Sequence, residues 1–350
     1  MDEFRRKLQA AYDEAVRTPT GDLFQKLKMD HFCRQYRPQT SWAVGPFEKA
    51  PELTFTKTEP LEDPTGIGWT SGFLFNPSLV VRGEELWLYF RAAPKKESLC
   101  SRIGLAVRRP GRGWEMFPKP LIWPTEEDEI LSIDDPKVYR AGEEYVMFYN
   151  GVYAAPEELA DRYGQAPGSV SVNVKYAVSR DGIAWEKRGI AVPLEVSRLW
   201  AKGAVIPRDG EGNAVRIGGE FLMFLSEGCG GMQVVGRSAD LKSWRFEPRT
   251  YLTLPEGWGR ILEVACCVPT KEGFVLDFFF EDAEGKFAAG QALYLRGSPF
   301  EAADFHRGGS LAWGGMSVQS GRYLFAQGWD ASETGREEIY FYRSEECAHE

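Results

Sequence analysis

Histidine is scarce. The chain has 350 residues and only His31, His306 and His349. None stands at metal-ligand spacing or in a nucleophile–base context, which argues against histidine–zinc and Ser-His-Asp chemistry. Cysteine is sparse and unpatterned: Cys33, Cys100, Cys229, Cys266, Cys267 and Cys347 form no C-x-x-C pair. That is neither a zinc pattern nor a disulfide framework, and reduced thiols fit it best. A basic excess is also missing: 42 Lys and Arg face 51 Asp and Glu, for a net charge of −9. An acidic chain repels phosphate backbones and anionic lipid, so neither nucleic acid nor membrane is expected as a partner. No apolar run reaches the roughly 18 residues of a membrane span, and the opening Met-Asp-Glu-Phe-Arg-Arg leads into no apolar signal segment. The expectation is a cytoplasmic protein without metal or cofactor, in which carboxylates supply the acid and base.

Aromatic residues are plentiful, at 13% with 11 Trp. They suit strand-rich cores, and they suit sugars, whose apolar faces stack on flat rings. Phe4, Leu8, Tyr12 and Ala15 recur at helical spacing until Pro19 and Gly21 stop the pattern, and a second short helix is predicted over Leu23–Phe32. Residues 1–59 are thus expected to be a helical arm and linker. With no blade to join, the arm must cover the side of the domain or contact a second subunit.

A repeat follows. Asn76-Pro77-Ser78-Leu79-Val80-Val81, a Gly83 turn and Leu86–Arg91 form one hairpin; Asp135-Pro136-Lys137-Val138-Tyr139, a Gly142 turn and Tyr145–Asn150 form the next. Further copies open at Lys202 and Glu263, and a weaker fifth runs from Leu311 to Phe325. Several continue into a third strand and a tryptophan turn: Gly113-Trp114, Asp181-Gly182 before Trp185, and Asp240-Leu241 before Trp244. Radial repetition of such sheets is how a propeller manages exposed strand edges. The predicted fold is all-β: a five-bladed β-propeller over residues 60–350, preceded by the arm.

The first strand of each blade lines the central axis, so the residues opening those strands converge. They are Asn76, Asp134, Asp135, Lys202 and Glu263. Cleaving a glycosidic bond needs one carboxylic acid to protonate the leaving oxygen and a second carboxylate on the other face of the sugar. Asp135 before Pro136 is equally the signature of an Asx turn. Glu263 interrupts an apolar run, where an unpaired carboxylate is costly. Glu227 precedes Gly228-Cys229-Gly230-Gly231, a loop that could reach the axis. Arg91 closes the first hairpin.

The order Asn-Pro with Tyr-Phe-Arg-Ala, then Asp-Asp-Pro-Lys, then Lys-Gly-Ala-Val, then a late Glu-Val resembles glycoside hydrolase family 130, across roughly residues 70–330. The resemblance implies a five-bladed propeller that cleaves β-mannosides with inversion, either by hydrolysis or by phosphorolysis. It implies a general acid at Asp135, with Asp134 where the family usually has Glu and Lys137 where it has Arg. It implies binding roles for Arg91 and Lys202, basic groups that hold inorganic phosphate in the family's phosphorylases. The Arg-Asn pair usual in phosphorylases after the second hairpin is absent from Asn150-Gly151-Val152-Tyr153-Ala154-Ala155-Pro156, and residues inserted up to Gly168 follow. The expected catalytic residues are therefore Asp135, Glu263 and Glu227. The expected substrate-binding residues are Asn76, Arg91, Asp134, Lys137, Asn150, Lys202 and, after the fifth hairpin, Asp330. The expected activity is hydrolysis of a β-mannoside or related oligosaccharide. The alternatives are a phosphorylase, with inorganic phosphate as second substrate, and a sugar-binding propeller without catalysis.

Overall fold

The strand Glu85–Ala93 shows why the repeat reads as apolar runs. Leu86, Leu88, Phe90 and Ala92 enter one buried cluster, while Trp87 and Tyr89 enter another. A strand covered on both faces loses the apolar–polar alternation of a half-exposed one.

The computed structural model describes residues 3–17, 40–58, 62–94, 100–328 and 338–344. Helix α1 (Glu3–Arg17) is followed by two short strands, β1 (Phe47–Lys49) and β2 (Phe55–Thr56). The first blade is β3 (Phe73–Arg82), β4 (Glu85–Ala93), β5 (Arg102–Arg108) and β6 (Trp114–Met116). The second is β7 (Ser132–Ala141), β8 (Glu144–Ala154), β9 (Val170–Ser179) and β10 (Glu186–Ile190), with helix α2 (Glu157–Arg162) between β8 and β9. After helix α3 (Leu194–Ser197) and β11 (Ala201–Lys202), the third blade uses β12 (Arg216–Ile217), β13 (Glu220–Leu225), β15 (Val234–Ser238) and β16 (Arg245–Pro248). Here β14 (Glu227–Gly228) pairs with β11. The fourth blade is β17 (Arg260–Pro269), β18 (Gly273–Glu281), β19 (Phe287–Leu295) and β20 (Ala302–Arg307).

The fifth blade is β21 (Ser317–Gln319), β22 (Arg322–Gln327) and β23 (Glu338–Ser344), completed by β1 from the start of the chain. β1 pairs antiparallel with β23, Phe47 opposite Ser344, so the fifth blade is completed by strands from both ends of the chain. β2 also pairs with β23. The sheet therefore recruits residues N-terminal to position 60, where the sequence places the start of the propeller.

Among the described residues an apolar cluster fills each junction between neighbouring blades. The tryptophan turns are built alike in blades two and three. Asp181 Oδ1 accepts the Ile183 and Ala184 amides, and Trp185 Nε1 donates to the Gly182 carbonyl at 3.1 Å. Asp240 Oδ1 accepts the Lys242 and Ser243 amides, and Trp244 Nε1 donates to the Leu241 carbonyl at 3.0 Å. The arm covers the propeller's side: Leu8 and Ala15 of α1 are buried, Ala15 in the cluster between blades five and one. The helix predicted over Leu23–Phe32 lies outside the described residues. Among the described residues no helix is long and apolar enough to cross a membrane.

One ionic cluster braces the segment leading into β7. Lys175, fully buried, places Nζ 2.5 Å from Glu126, 2.6 Å from Asp128 and 3.2 Å from Glu129, and Glu129 also pairs with Lys187. These carboxylates could be taken for metal ligands, but each is already paired with an ammonium group. Removing Lys175 leaves Asp128 without its ammonium group and the fully buried Glu129 with Lys187 alone, a costly loss inside a protein. Lys175→Met is expected to lower unfolding free energy by about 3–5 kcal/mol, measured by urea titration; a loss within the ~1 kcal/mol typical of exposed pairs would show the cluster to be solvated.

Candidate active site

Asn76 and Asp135 occupy the same structural position in successive blades. In β3–β4 the register shifts between Phe75 and Ser78, and in β7–β8 between Asp134 and Lys137. The residue inside each shift precedes proline and has positive φ, 44° at Asn76 and 53° at Asp135. Proline pushes its predecessor toward extended backbone, so this conformation costs on the order of 1–3 kcal/mol. A bulge re-aims a side chain that regular pleating would bury between sheets. Both side chains accordingly meet at the axis, where Asn76 Nδ2 donates to Asp135 Oδ1 at 2.5 Å.

The cross-strand partners are matched as well: Arg91 sits opposite Phe75, and Asn150 opposite Asp134. Both reach Asp135. Asn150 Nδ2 donates to Oδ2 at 2.9 Å and Arg91 Nη1 to Oδ1 at 3.2 Å. Arg91 Nε lies 3.2 Å from Asp134 Oδ1 and donates to Ser101 Oγ at 2.7 Å. Ser132 Oγ donates to Asp134 Oδ1 at 2.5 Å and accepts the Ser101 amide at 2.9 Å. Asp134 thus orients the arginine that holds Asp135.

From the third blade, β11 and β14 place Lys202 directly opposite Glu227. Two glycines make room. Gly203 has φ 65°, and a Cβ there would stand 3.0 Å from Glu263 Oε1; Gly228 has φ 90°, and a Cβ would fall 2.0 Å from the Trp200 carbonyl oxygen. From the fourth blade comes Glu263, set between two register shifts of β17. Each glutamate receives an indole: Trp200 Nε1 lies 3.3 Å from Glu227 Oε1, and Trp313 Nε1 lies 3.0 Å from Glu263 Oε2.

These groups line one axial cavity of about 800 Å³, within the range of small-ligand sites. Asn76, Arg91, Asp134, Asp135, Lys137, Lys202, Glu227 and Glu263, expected from the sequence, all reach its wall. Asn150 does not line the cavity and donates to Asp135. Asp330 lies outside the described residues. The inserted residues 151–168 do not line the cavity. Trp313, not among the residues expected from the sequence, lies just ahead of the opening strand of the weak fifth copy and also lines the cavity; its place at the start of that copy is the signal that marks it. Phe279, Phe287 and Trp313 give the wall an apolar side.

Electrostatics separate the carboxyls. Burial pushes Asp135 up, but Arg91, Lys202 and the Asn76 hydrogen bond outweigh it, leaving Asp135 below the ordinary value. Burial, reinforced by Glu227, pushes Glu263 from 4.5 up to about 8. Burial raises Asp134 against the pull of Arg91. Lys202 ends above its ordinary value because Asp135, Glu227 and Asp134 outweigh burial. Lys137 is lowered by burial, and its Nζ donates to the Trp313 carbonyl at 2.6 Å and the Ala265 carbonyl at 3.4 Å. In the unliganded cavity at neutral pH, Asp135 is therefore ionised and Glu263 carries a proton.

Comparison with known proteins finds the same fold and a likeness in sequence. A family model described as beta-1,4-mannooligosaccharide phosphorylase matches residues 67–159, the stretch holding Asn76, Arg91 and Asp135. A 1,2-beta-oligomannan phosphorylase of Thermoanaerobacter sp. (strain X514) is 22% identical over 234 residues, covering 64% of this chain and 70% of that protein. The beta-1,2-mannobiose phosphorylase of Listeria innocua, solved with beta-1,2-mannobiose, superposes with a TM-score of 0.61 at 16% identity, over 86% of this chain and 97% of that one. Another structure, described as showing that the GH130 family of mannoside phosphorylases contains glycoside hydrolases that target beta-1,2 mannosidic linkages in Candida mannan, superposes with a TM-score of 0.66 at 18% identity, over 88% and 95%. Family model, curated relative and solved structures agree in one likeness: the chain is similar to glycoside hydrolase family 130 in sequence and in fold.

Proposed function

We propose that the protein hydrolyses β-mannosidic bonds in oligosaccharides with inversion at the anomeric carbon. The observation that carries this reading is the carboxyl set of the axial cavity: Asp135, clamped by Asn76, Asn150 and Arg91, shares the cavity with Glu227 and Glu263. Asp135 donates the proton to the leaving oxygen. Glu263, with Glu227 beside it, takes a proton from the attacking water. Reaction requires Asp135 protonated and Glu263 ionised, the reverse of the unliganded cavity. Sugar hydroxyls entering the cavity compete for the donors around Asp135, and displacing water raises its pKa further. The proton held on Glu263 then moves to Asp135, and the total on the coupled set is unchanged.

Phosphorolysis is the second reading, favoured by Arg91, Lys137 and Lys202 in one cavity and by the relatives' activities. The charge balance weighs against it. Arg91 is paired with Asp134 and Asp135, Lys137 is turned to two carbonyls, and Lys202 stands opposite Glu227. Holding a dianion calls for cations aimed at it, whereas these are matched by four carboxyls on the same wall. Incubation with a panel of β-mannosides, with and without inorganic phosphate, is expected to release free mannose at equal rates, first as the inverted anomer. Cleavage that depends strictly on phosphate and yields mannose 1-phosphate would establish the second reading instead. Cys229, Cys266 and Cys267 are buried thiols outside any disulfide, which suits a reducing compartment, and the cytoplasm is the proposed location. An oligomer built through the arm is a further proposal; light scattering before and after deletion of residues 1–36 tests it.

A further inference from the structure

Asp277 is buried in the middle of β18 and does not line the cavity. A carboxylate placed there is expensive unless its lone pairs are used, and its hydrogen-bond donors are Gln291 and one loop, at Ser310 and Leu311. Its Oδ2 accepts the Ser310 amide at 2.8 Å, the Ser310 hydroxyl at 3.1 Å and Gln291 Nε2 at 3.0 Å, and its Oδ1 accepts the Leu311 amide at 3.2 Å. The approach is close: a Cβ on Gly309 would stand 3.0 Å from both carboxylate oxygens.

The clamp continues toward the site. Ser310 Oγ accepts the Ala312 amide at 3.1 Å, and Gln327 Nε2 donates to the Leu311 carbonyl at 3.1 Å. Leu311 is held at φ 53°, a conformation a branched side chain adopts only when its surroundings impose it. Two residues on, Trp313 touches two axial groups: its indole Nε1 donates to Glu263 Oε2, and its carbonyl accepts Lys137 Nζ.

From this geometry we infer that Asp277 is a positioning residue for the reaction, holding the Ser310–Trp313 loop so that Trp313 orients Glu263 and Lys137. The inference rests on the proposed catalytic role of the cavity and is independent of whether water or phosphate is the acceptor. Misplacing a catalytic group by about 1 Å from a distance can cost on the order of 100-fold.

The experiment is a double-mutant cycle between Asp277→Asn and Trp313→Phe, read as kcat and KM on a β-mannoside and as thermal midpoint. Asn keeps the shape but turns an amide N–H₂ toward groups that are themselves donors. Asp277→Asn is expected to reduce kcat by ~10–100-fold and to change KM less. In the Trp313→Phe background, which lacks the indole N–H, most of that loss should vanish, because residues acting in one chain are not additive. The drop in thermal midpoint should be equal in both backgrounds. Ser310→Ala, a milder cut in the same clamp, should lower kcat in the same direction with little change in midpoint, and it serves if Asp277→Asn does not fold. Kinetic losses that simply multiply, or a lowered midpoint with normal kcat, would show Asp277 to be a packing group and overturn the inference. Glu263→Gln is measured alongside: full activity in that variant refutes the catalytic reading itself, a result distinct from additivity in the cycle.

Discussion

Asp135→Asn is expected to lower turnover of a natural β-mannoside by ~10²–10⁴-fold, the usual contribution of a general acid. On a dinitrophenyl β-mannoside, whose leaving group departs as a stable anion, the loss should be far smaller. The amide keeps the shape, and its oxygen can still accept from Asn76 and Arg91, so collapse of the cavity does not enter the comparison. What Asn cannot do is deliver a proton to the glycosidic oxygen. The contrast between leaving groups matters because Asp135 is ionised in the unliganded cavity and Glu263 is not. Read from those charges alone, the two roles would be exchanged. If Asp135 were the base, the activated and natural substrates would lose activity equally, since water must be activated in both. Equal losses would therefore move the proton donor to Glu263.

The fold was legible because propeller blades bury both faces of their central strands. That requirement wrote Leu86–Phe90 and Tyr145–Tyr149 as uninterrupted apolar runs around Gly turns, a period visible without any partner. The axial residues were legible for a related reason. Asn76-Pro77 and Asp135-Pro136 depart from strand composition at the point where each blade must bulge toward the axis, and the departure repeats.

Other features left little local trace. Completion of the fifth blade by β1 depends on three residues pairing with a strand nearly 300 positions away, and three residues carry no periodicity. The Lys202–Glu227 pairing is made by two-residue strands and leaves the same ambiguity. Lys137 stands where the family resemblance puts an arginine, but the carbonyls of Trp313 and Ala265 that engage it come from blades whose placement no motif encodes. Trp313 was hidden because β21 spans only Ser317–Gln319, so the fifth copy lacked the long opening strand that marked the others. The functional role of Asp277 was equally invisible, since a single Asp inside Phe274–Phe280 signals nothing until the loop it holds is seen.

Glu263→Gln is expected to lower turnover by ~10²–10⁴-fold and to make the protein more stable at alkaline pH. Both follow from one property, a folded-state pKa raised from 4.5 to about 8 by burial and by Glu227. The sign is fixed by proton binding. The folded chain keeps the Glu263 proton up to about pH 8, while the unfolded chain gives it up near 4.5. Between those values the folded state binds more protons, so this carboxyl's contribution to stability is complete below the lower value and lost as pH rises to the upper one. At 1.36 kcal/mol per unit of pKa, the loss is on the order of a few kcal/mol. Glutamine does not titrate, and the variant escapes that loss. Its thermal midpoint relative to the parent should climb between about pH 5 and pH 8 and then level off. The kinetics carry the same mark. The kcat/KM of the parent should fall as pH rises through about 8, because the last proton of the carboxyl set is lost there. In Glu263→Gln that proton reservoir is gone, and the residual activity should decline at a lower pH, set by Asp135. A midpoint difference that stays constant from pH 5 to pH 9, together with an unmoved alkaline limb, would show that Glu263 holds no proton in the working range and would remove it from the exchange with Asp135.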